Sequence, residues 1–248
     1  SVVGAVIGSL LVGVSAGLPW IIGGVIHLIV AVLAFYWMKE EYFTRGILSL
    51  REGFRKMKEV TRASIQYGRG EPNFRFVVLL GILQLIAVKS PDMQWQPFFS
   101  QAFGTTAVLG ILWVGITIAT VVGSWFAPRL LELMRWNERR SLVTANVCIG
   151  AGIAATMLFG FPFGLAAFLF HETARGLWKP LKDSYLQDNI PSEERATIIS
   201  FESMFHHLGG LLGLFLGGVL VQYTSIFTTW TVAGIVLIAS TFTITRKR

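Results

Sequence analysis

Six ionisable side chains, His171, Glu172, Arg175, Lys179, Lys182 and Asp183, crowd into one stretch whose neighbours are mostly apolar. Advanced by about 100° per residue, as on a helix, they fall within an arc of about 120°. Such an arc cannot face hydrocarbon, where charge is costly; it must face water or partner helices. Arg175 follows Glu172 by three residues and can pair with it. Two roles fit. Glu172 either carries a proton or contacts a cationic substrate, with Arg175 and His171 tuning it, or Glu172 and Arg175 stay paired and hold one helix against its neighbours. Lys179 and Lys182 lie near enough to the end of the stretch to snorkel toward head groups. Pro180 leaves the Gly176 carbonyl without its helical donor, which predicts a kink.

Lys89, Asp92 and Gln96 share a second face at i, i+3 and i+7 spacing. If the helix continues past Pro91 through Trp95 and Phe99, that face lines the outer half of a cavity; if it stops near Val88, these residues form an outer loop. Gln84, alone on its face, either bonds a neighbouring helix or touches a substrate. Glu202 and His206 are i, i+4 neighbours and could relay protons, although Glu202 lies close enough to a loop to be simply hydrated. Gly209, Gly213 and Gly217 form a small-residue stripe on the same face, a pattern for close helix packing. His206 and His207 point apart with no third ligand spaced to join them, so no metal is expected. The single cysteine, Cys148, rules out a disulfide framework. His27 reads as a hydrogen-bonded packing residue. There is no phosphate-binding G-x-x-x-x-G-K-[ST] loop, no second zinc-protease histidine after His171-Glu172, and no G-x-S-x-G elbow. Neither an enzyme nor a cofactor is expected.

The elements that must position these groups follow from composition. Of 248 residues, 53% are hydrophobic and 14% charged, with a mean hydropathy of +0.62. A soluble domain carries about 25% charged residues, so a water-soluble enzyme is excluded, as is a disordered chain. Apolar stretches long enough to span a bilayer run over 1–15, 19–38, 76–100, 106–127, 141–159, 162–184, 197–222 and 224–244. They are continuous rather than alternating, which excludes barrel strands. The expected fold is therefore an all-α membrane bundle. Basic residues collect in 39–75, in 128–140, at Arg195 and at the C-terminus, while the alternate loops have none. That places the long loop and the C-terminus in the cytoplasm. It also assigns the net charge of +7 to anionic head groups rather than nucleic acid. Within 39–75, Ile47, Leu50, Phe54, Met57 and Thr61 recur at helical spacing, fitting either a helix on the membrane surface or a solvated linker.

The layout and four motifs resemble the major facilitator superfamily of transporters. Gly4-x-x-x-Gly8-Ser9-x-x-Val12-Gly13 is similar to the fifth-helix antiporter motif, with Ser9 in place of proline and Val12 in place of glycine. Trp95-Gln96-Pro97-Phe98-Phe99 resembles the outer end of the seventh helix. Gly123 through Arg140 is similar to the second-half copy of the basic loop motif, with Ala127 at its aspartate position. Arg175-Gly176, Pro180, Tyr185-Leu186, Ile190-Pro191-Ser192-Glu193 and Arg195-Ala196-Thr197 resemble helices 10 and 11 of drug-efflux-like members. The resemblance implies eight helices of twelve, helices 5 to 12, in a chain whose earlier helices precede Ser1. It divides the chain into the end of one half (1–38), a cytoplasmic linker (39–75) and a complete six-helix half (76–248). It makes 19–38, 141–159 and 224–244 the peripheral helices. It further implies a monomer in the cell membrane that exports a small-molecule substrate by alternating access, exchanged for protons or another coupling ion. Uptake by symport, or an eight-helix enzyme or scaffold, are the alternatives. This stretch alone, lacking most of one half, is not expected to transport.

Overall fold

The computed structural model describes residues 17–38, 51–55, 70–191 and 195–246, with isolated positions elsewhere between 4 and 62. The chain divides into two compact units, Ser1–Lys58 and Glu59–Arg248.

The first unit contains helix α1, Leu18–Trp37. Its length of about 30 Å matches a hydrocarbon core. Pro19 lies in the first turn, where a missing N–H breaks no helical bond. No residue of α1 is buried. His27 donates from Nδ1 to the Gly23 carbonyl at 2.7 Å, so it is satisfied by its own helix rather than by packing. In the antiporter-like motif Gly4 and Gly8 are helical, whereas Ser9 and Gly13 lie outside the described residues. In the long loop 51–55 is an exposed helical segment; Ile47, Leu50 and Met57 lie outside the described residues.

The second unit contains α2 (Pro72–Phe103), α3 (Leu109–Leu133), α4 (Glu138–Leu158), α5 (Phe163–Asn189), α6 (Arg195–Tyr223) and α7 (Ile226–Arg246). Among the described residues, six helices are long and apolar enough to cross a membrane: α1, α2, α3, α4, α6 and α7. Of the eight spans expected from the sequence, these six meet that standard. Most of 1–15 lies outside the described residues, and the charges of α5 take it below that apolar standard. Yet much of α5 is covered by protein. It packs between α3 and α4 and buries His171, Glu172, Ala174, Trp178 and Tyr185. Protein covers His171 and Glu172, as the cost of charge in hydrocarbon requires, whereas Lys179 farther along the arc is exposed.

Helix α4 in turn packs on α7, and α2 lies between α6 and α7. Within this unit the span 141–159 packs against two neighbouring helices. Leu142, Ala145, Asn146 and Ile149 are fully buried, because alanines and glycines along α4 let α5 and α7 approach closely. The stripe on α6 behaves as its spacing predicts. A Cβ on Gly209 would lie 2.7 Å from the Ile82 carbonyl oxygen, and one on Gly213 would lie 2.6 Å from that of Ile86. Only glycine allows α6 this close to the α2 backbone.

The two ends of the unit differ in chemistry. At the basic end, Asn73 Nδ2 donates to Asn189 Oδ1 at 2.8 Å and Ser184 Oγ donates to Glu138 Oε1 at 2.8 Å. The Arg139 guanidinium stands 4.2 Å over the Phe76 ring, a cation–π contact. Arg135 and Trp136 adopt left-handed φ values of 55° and 59° in the tight turn before α4, and Asn137 caps that helix by accepting from Arg140 N–H at 2.9 Å. At the other end Phe98, Phe99, Phe168 and Trp230 form an aromatic cluster. There Trp230 Nε1 donates to Gln94 Oε1 at 2.9 Å.

Candidate functional site: a charge cluster between α2 and α5

Helix α2 runs unbroken through Pro91 and Pro97 to Phe103, and Gly104 ends it with a φ of 69°. Lys89, Asp92 and Gln96 therefore stand on a helix and not in a loop. α2 and α5 pack little against each other directly; long charged side chains bridge them instead. Arg175 Nη1 donates to Asp92 Oδ1 at 2.7 Å and to Glu172 Oε1 at 3.1 Å. Its Nη2 reaches Asp92 Oδ2 at 3.5 Å, where Lys89 Nζ also lies 3.5 Å away. Two cations and two carboxylates thus form one cluster that is neutral when both acids are ionised. Glu172 is its buried member, 5% exposed, while Arg175 and Asp92 remain partly open. Nη1 alone thus serves both carboxylates, and Nη2 adds a second, longer contact to Asp92.

His171 is fully buried behind the cluster, with Nε2 3.7 Å from Glu172 Oε1 and neither ring nitrogen in a well-formed hydrogen bond. Gly152 of α4 makes room for it, since a Cβ there would lie 2.8 Å from the His171 Cα. Trp95 is buried and stacks on Trp113 with ring centroids 5.9 Å apart, so it faces α3 rather than the charges. Gln96 is exposed. Gln84 is buried, outside the charge cluster.

Glu202 and His206 are placed elsewhere, near Gly81 of α2. Glu202 is buried and accepts from Lys182 Nζ at 2.9 Å. Two expectations change here. Glu202 is not hydrated at a loop, and Lys182 turns inward to pair with it rather than snorkelling. Lys179 is exposed and pairs with Asp183. Among the described residues, no group of three or more His, Cys, Asp or Glu could hold a metal.

The sequence pattern did not single out Asn146, whose Nδ2 donates to the Leu80 carbonyl at 3.4 Å, nor Ser124, which donates to the Gly176 carbonyl at 3.0 Å. Both are neutral, so a search for intramembrane charge passes over them. Asn146 was detectable as a lone amide in an otherwise apolar span.

The fold and the cluster define an all-helical, multi-pass membrane protein with paired charges inside its bundle. Compared with known protein families and with curated proteins, the chain matches none.

Proposed function

We propose that the protein is a secondary active transporter of the major facilitator type, exporting a small molecule in exchange for protons by alternating access. The observation that carries this reading is the Arg175 cluster. It puts two carboxylates on one guanidinium, with Glu172 buried and Asp92 partly open. Intramembrane ionisable groups of this kind mark ion or substrate paths. The cluster's neutrality supplies an exchange rule. A proton on Glu172 leaves one positive charge in excess, which disfavours a cationic substrate; loss of that proton restores a place for it. Glu172 is the proton carrier in this scheme, Arg175 and His171 set its affinity, and Lys89, Asp92 and Gln96 shape the outward approach. The basic end, with Arg75, Arg135, Arg139, Arg140 and Arg195, faces the cytoplasm of the cell membrane.

The test is transport by the full-length protein in proteoliposomes under an imposed pH gradient, with ethidium as the first cationic probe and a counterflow panel of neutral and anionic solutes beside it. Gradient-driven ethidium movement lost in Glu172→Gln supports the scheme. Gradient-driven movement that survives Glu172→Gln unchanged removes the role of Glu172. No gradient-dependent movement of any solute ends the transporter reading.

A further inference from the structure

The basic end of the second unit holds a cavity of about 400 Å³ between the start of α4 and the end of α7. Its volume is that of a small-molecule site, and the Arg175 cluster has no part in it. Arg139, Arg140, Val143 and Thr144 line it from α4, where i, i+1, i+4 and i+5 fall on one helical face. Met134 lines it from the turn before α4, and Thr245 from α7. Arginine thus stands beside apolar side chains on a single wall.

The charges around this cavity do not cancel. Arg139 is held in place by the Phe76 ring, 4.2 Å beneath its guanidinium. Arg140 is exposed, and among the described residues no carboxylate pairs with its guanidinium. The two acids nearest in sequence are engaged elsewhere. Glu138 accepts from Ser184 of α5, and Glu132 lies 3.8 Å from Arg129. Arg246 follows Thr245 on α7 and adds a further cation at the same end. The N-terminal end of α4 contributes the positive pole of its dipole. An anion completes this arrangement, and neighbouring guanidinium groups suit the oxygens of a phosphate.

The surroundings say which anion. Helices α4 and α7 are both long and apolar enough to cross a membrane, so where they end together is the level of the head groups. Next in sequence to the lining residues, Leu133 and Trp136 are each 68% exposed, and Phe242, one turn before Thr245, is 55% exposed. Exposed tryptophan is favoured at the membrane boundary. Arginines at a rim and apolar side chains beside it match the two parts of a phospholipid, whereas free phosphate would use only the first. Basic pockets between membrane helices take lipids of net negative charge, and no free acid is present here to receive the cationic group of a zwitterionic one.

We propose that this cavity is a binding site for an anionic phospholipid, with its phosphate on Arg139 and Arg140 and its acyl chains along Leu133 and Phe242. The inference needs only that these helices span a membrane, and it stands or falls separately from the transporter reading.

The experiment is lipid titration of the full-length protein in neutral detergent, followed by native mass spectrometry. Phosphatidylglycerol and phosphatidylcholine with the same acyl chains are compared at roughly 0.15 M salt, which screens distant charges. Phosphatidylglycerol should bind about fivefold more tightly or better, and Arg140→Gln should weaken it by about fivefold while phosphatidylcholine is unaffected. Arg140→Lys, which keeps the charge without the fork, should fall between. Thr245→Trp fills the cavity and leaves every charge in place, and it should weaken phosphatidylglycerol as much as Arg140→Gln does. Arg129→Gln removes a cation that does not line the cavity and should change binding by less than about twofold. Equal binding of the two lipids, an equal loss in Arg129→Gln, or full binding in Thr245→Trp would each overturn the proposal. Displacement of the lipid by millimolar inorganic phosphate would also overturn it, in favour of a site for the free anion.

Discussion

Ser124 of α3 donates its hydroxyl to the Gly176 carbonyl of α5 at 3.0 Å, and that carbonyl is the one Pro180 deprives of its own helical donor. The bond crosses the point where Gly123 and Gly176 bring the two backbones together; the Gly176 Cα would lie 3.0 Å from a Cβ on Gly123. A hydroxyl on a neighbouring helix thus replaces the missing N–H, and α5 continues unbroken to Asn189. Replacement of this kind is what makes proline tolerable at membrane depth. Ser124→Ala should destabilise the protein by about 1 kcal/mol. In a Pro180→Ala background, where residue 180 regains its N–H, the same substitution should cost close to nothing. Detergent unfolding curves of the four proteins give the coupling directly, and equal costs in both backgrounds would refute the assignment.

Arg175 holds Asp92 and Glu172 together, so its removal leaves a buried carboxylate unpaired. Arg175→Gln should destabilise by about 3 kcal/mol, and adding Glu172→Gln should recover a large part of that loss. Arg175→Lys should fall between, because an ammonium keeps the charge but not the planar, multi-donor geometry of the guanidinium. Thermal unfolding in detergent orders the three variants. A double variant no more stable than Arg175→Gln alone would show that Glu172 is already neutral in the folded protein.

These two predictions separate what could be read in the chain from what could not. The arc of charges on 162–184 identified the helix and the face, because hydrocarbon leaves so few ways to place charge. It did not identify the partners. Asp92 is 83 residues from Arg175, and nothing in spacing alone says which helix opposes which. Lys182 shows the same limit. Its long stem fits a snorkelling position as well as an inward one, and only the packing of α6 on α2, through Gly209 and Gly213, carries Glu202 to meet it. The neutral polar groups, Ser124 and Asn146, were passed over for a different reason. A hydroxyl or amide in a membrane helix is common, and its significance depends on the acceptor that another element brings to it.

The glycine stripe gives a sharper stability contrast. Gly213→Ala would drive a methyl group against the Ile86 carbonyl, and α6 would have to retreat from α2. A cost of about 1–3 kcal/mol follows from overpacking of this kind. Gly218→Ala, five residues along, meets nothing within 4 Å and should be neutral or slightly stabilising. Melting temperatures measured side by side distinguish a packing stripe from mere helix propensity. Equal effects at the two positions would remove the argument from close approach.

Water access to the outer part of α2 can be read by labelling. Gln96 is exposed beside the Asp92 turn, and Trp95 is buried against Trp113. Exposure of a membrane helix means either water or lipid, and a charged maleimide reacts with a thiol only where water reaches it, since the thiolate is the reactive form. In a Cys148→Ser background, Gln96→Cys should label from outside the membrane, with Trp95→Cys close to unlabelled. Placing Gln96 on the wet side puts the Lys89–Asp92 pair one turn below at the foot of an aqueous approach, from which a solute or proton can reach Arg175. No labelling at Gln96 would turn that face of α2 toward lipid, and the charges would then serve only to hold α2 against α5.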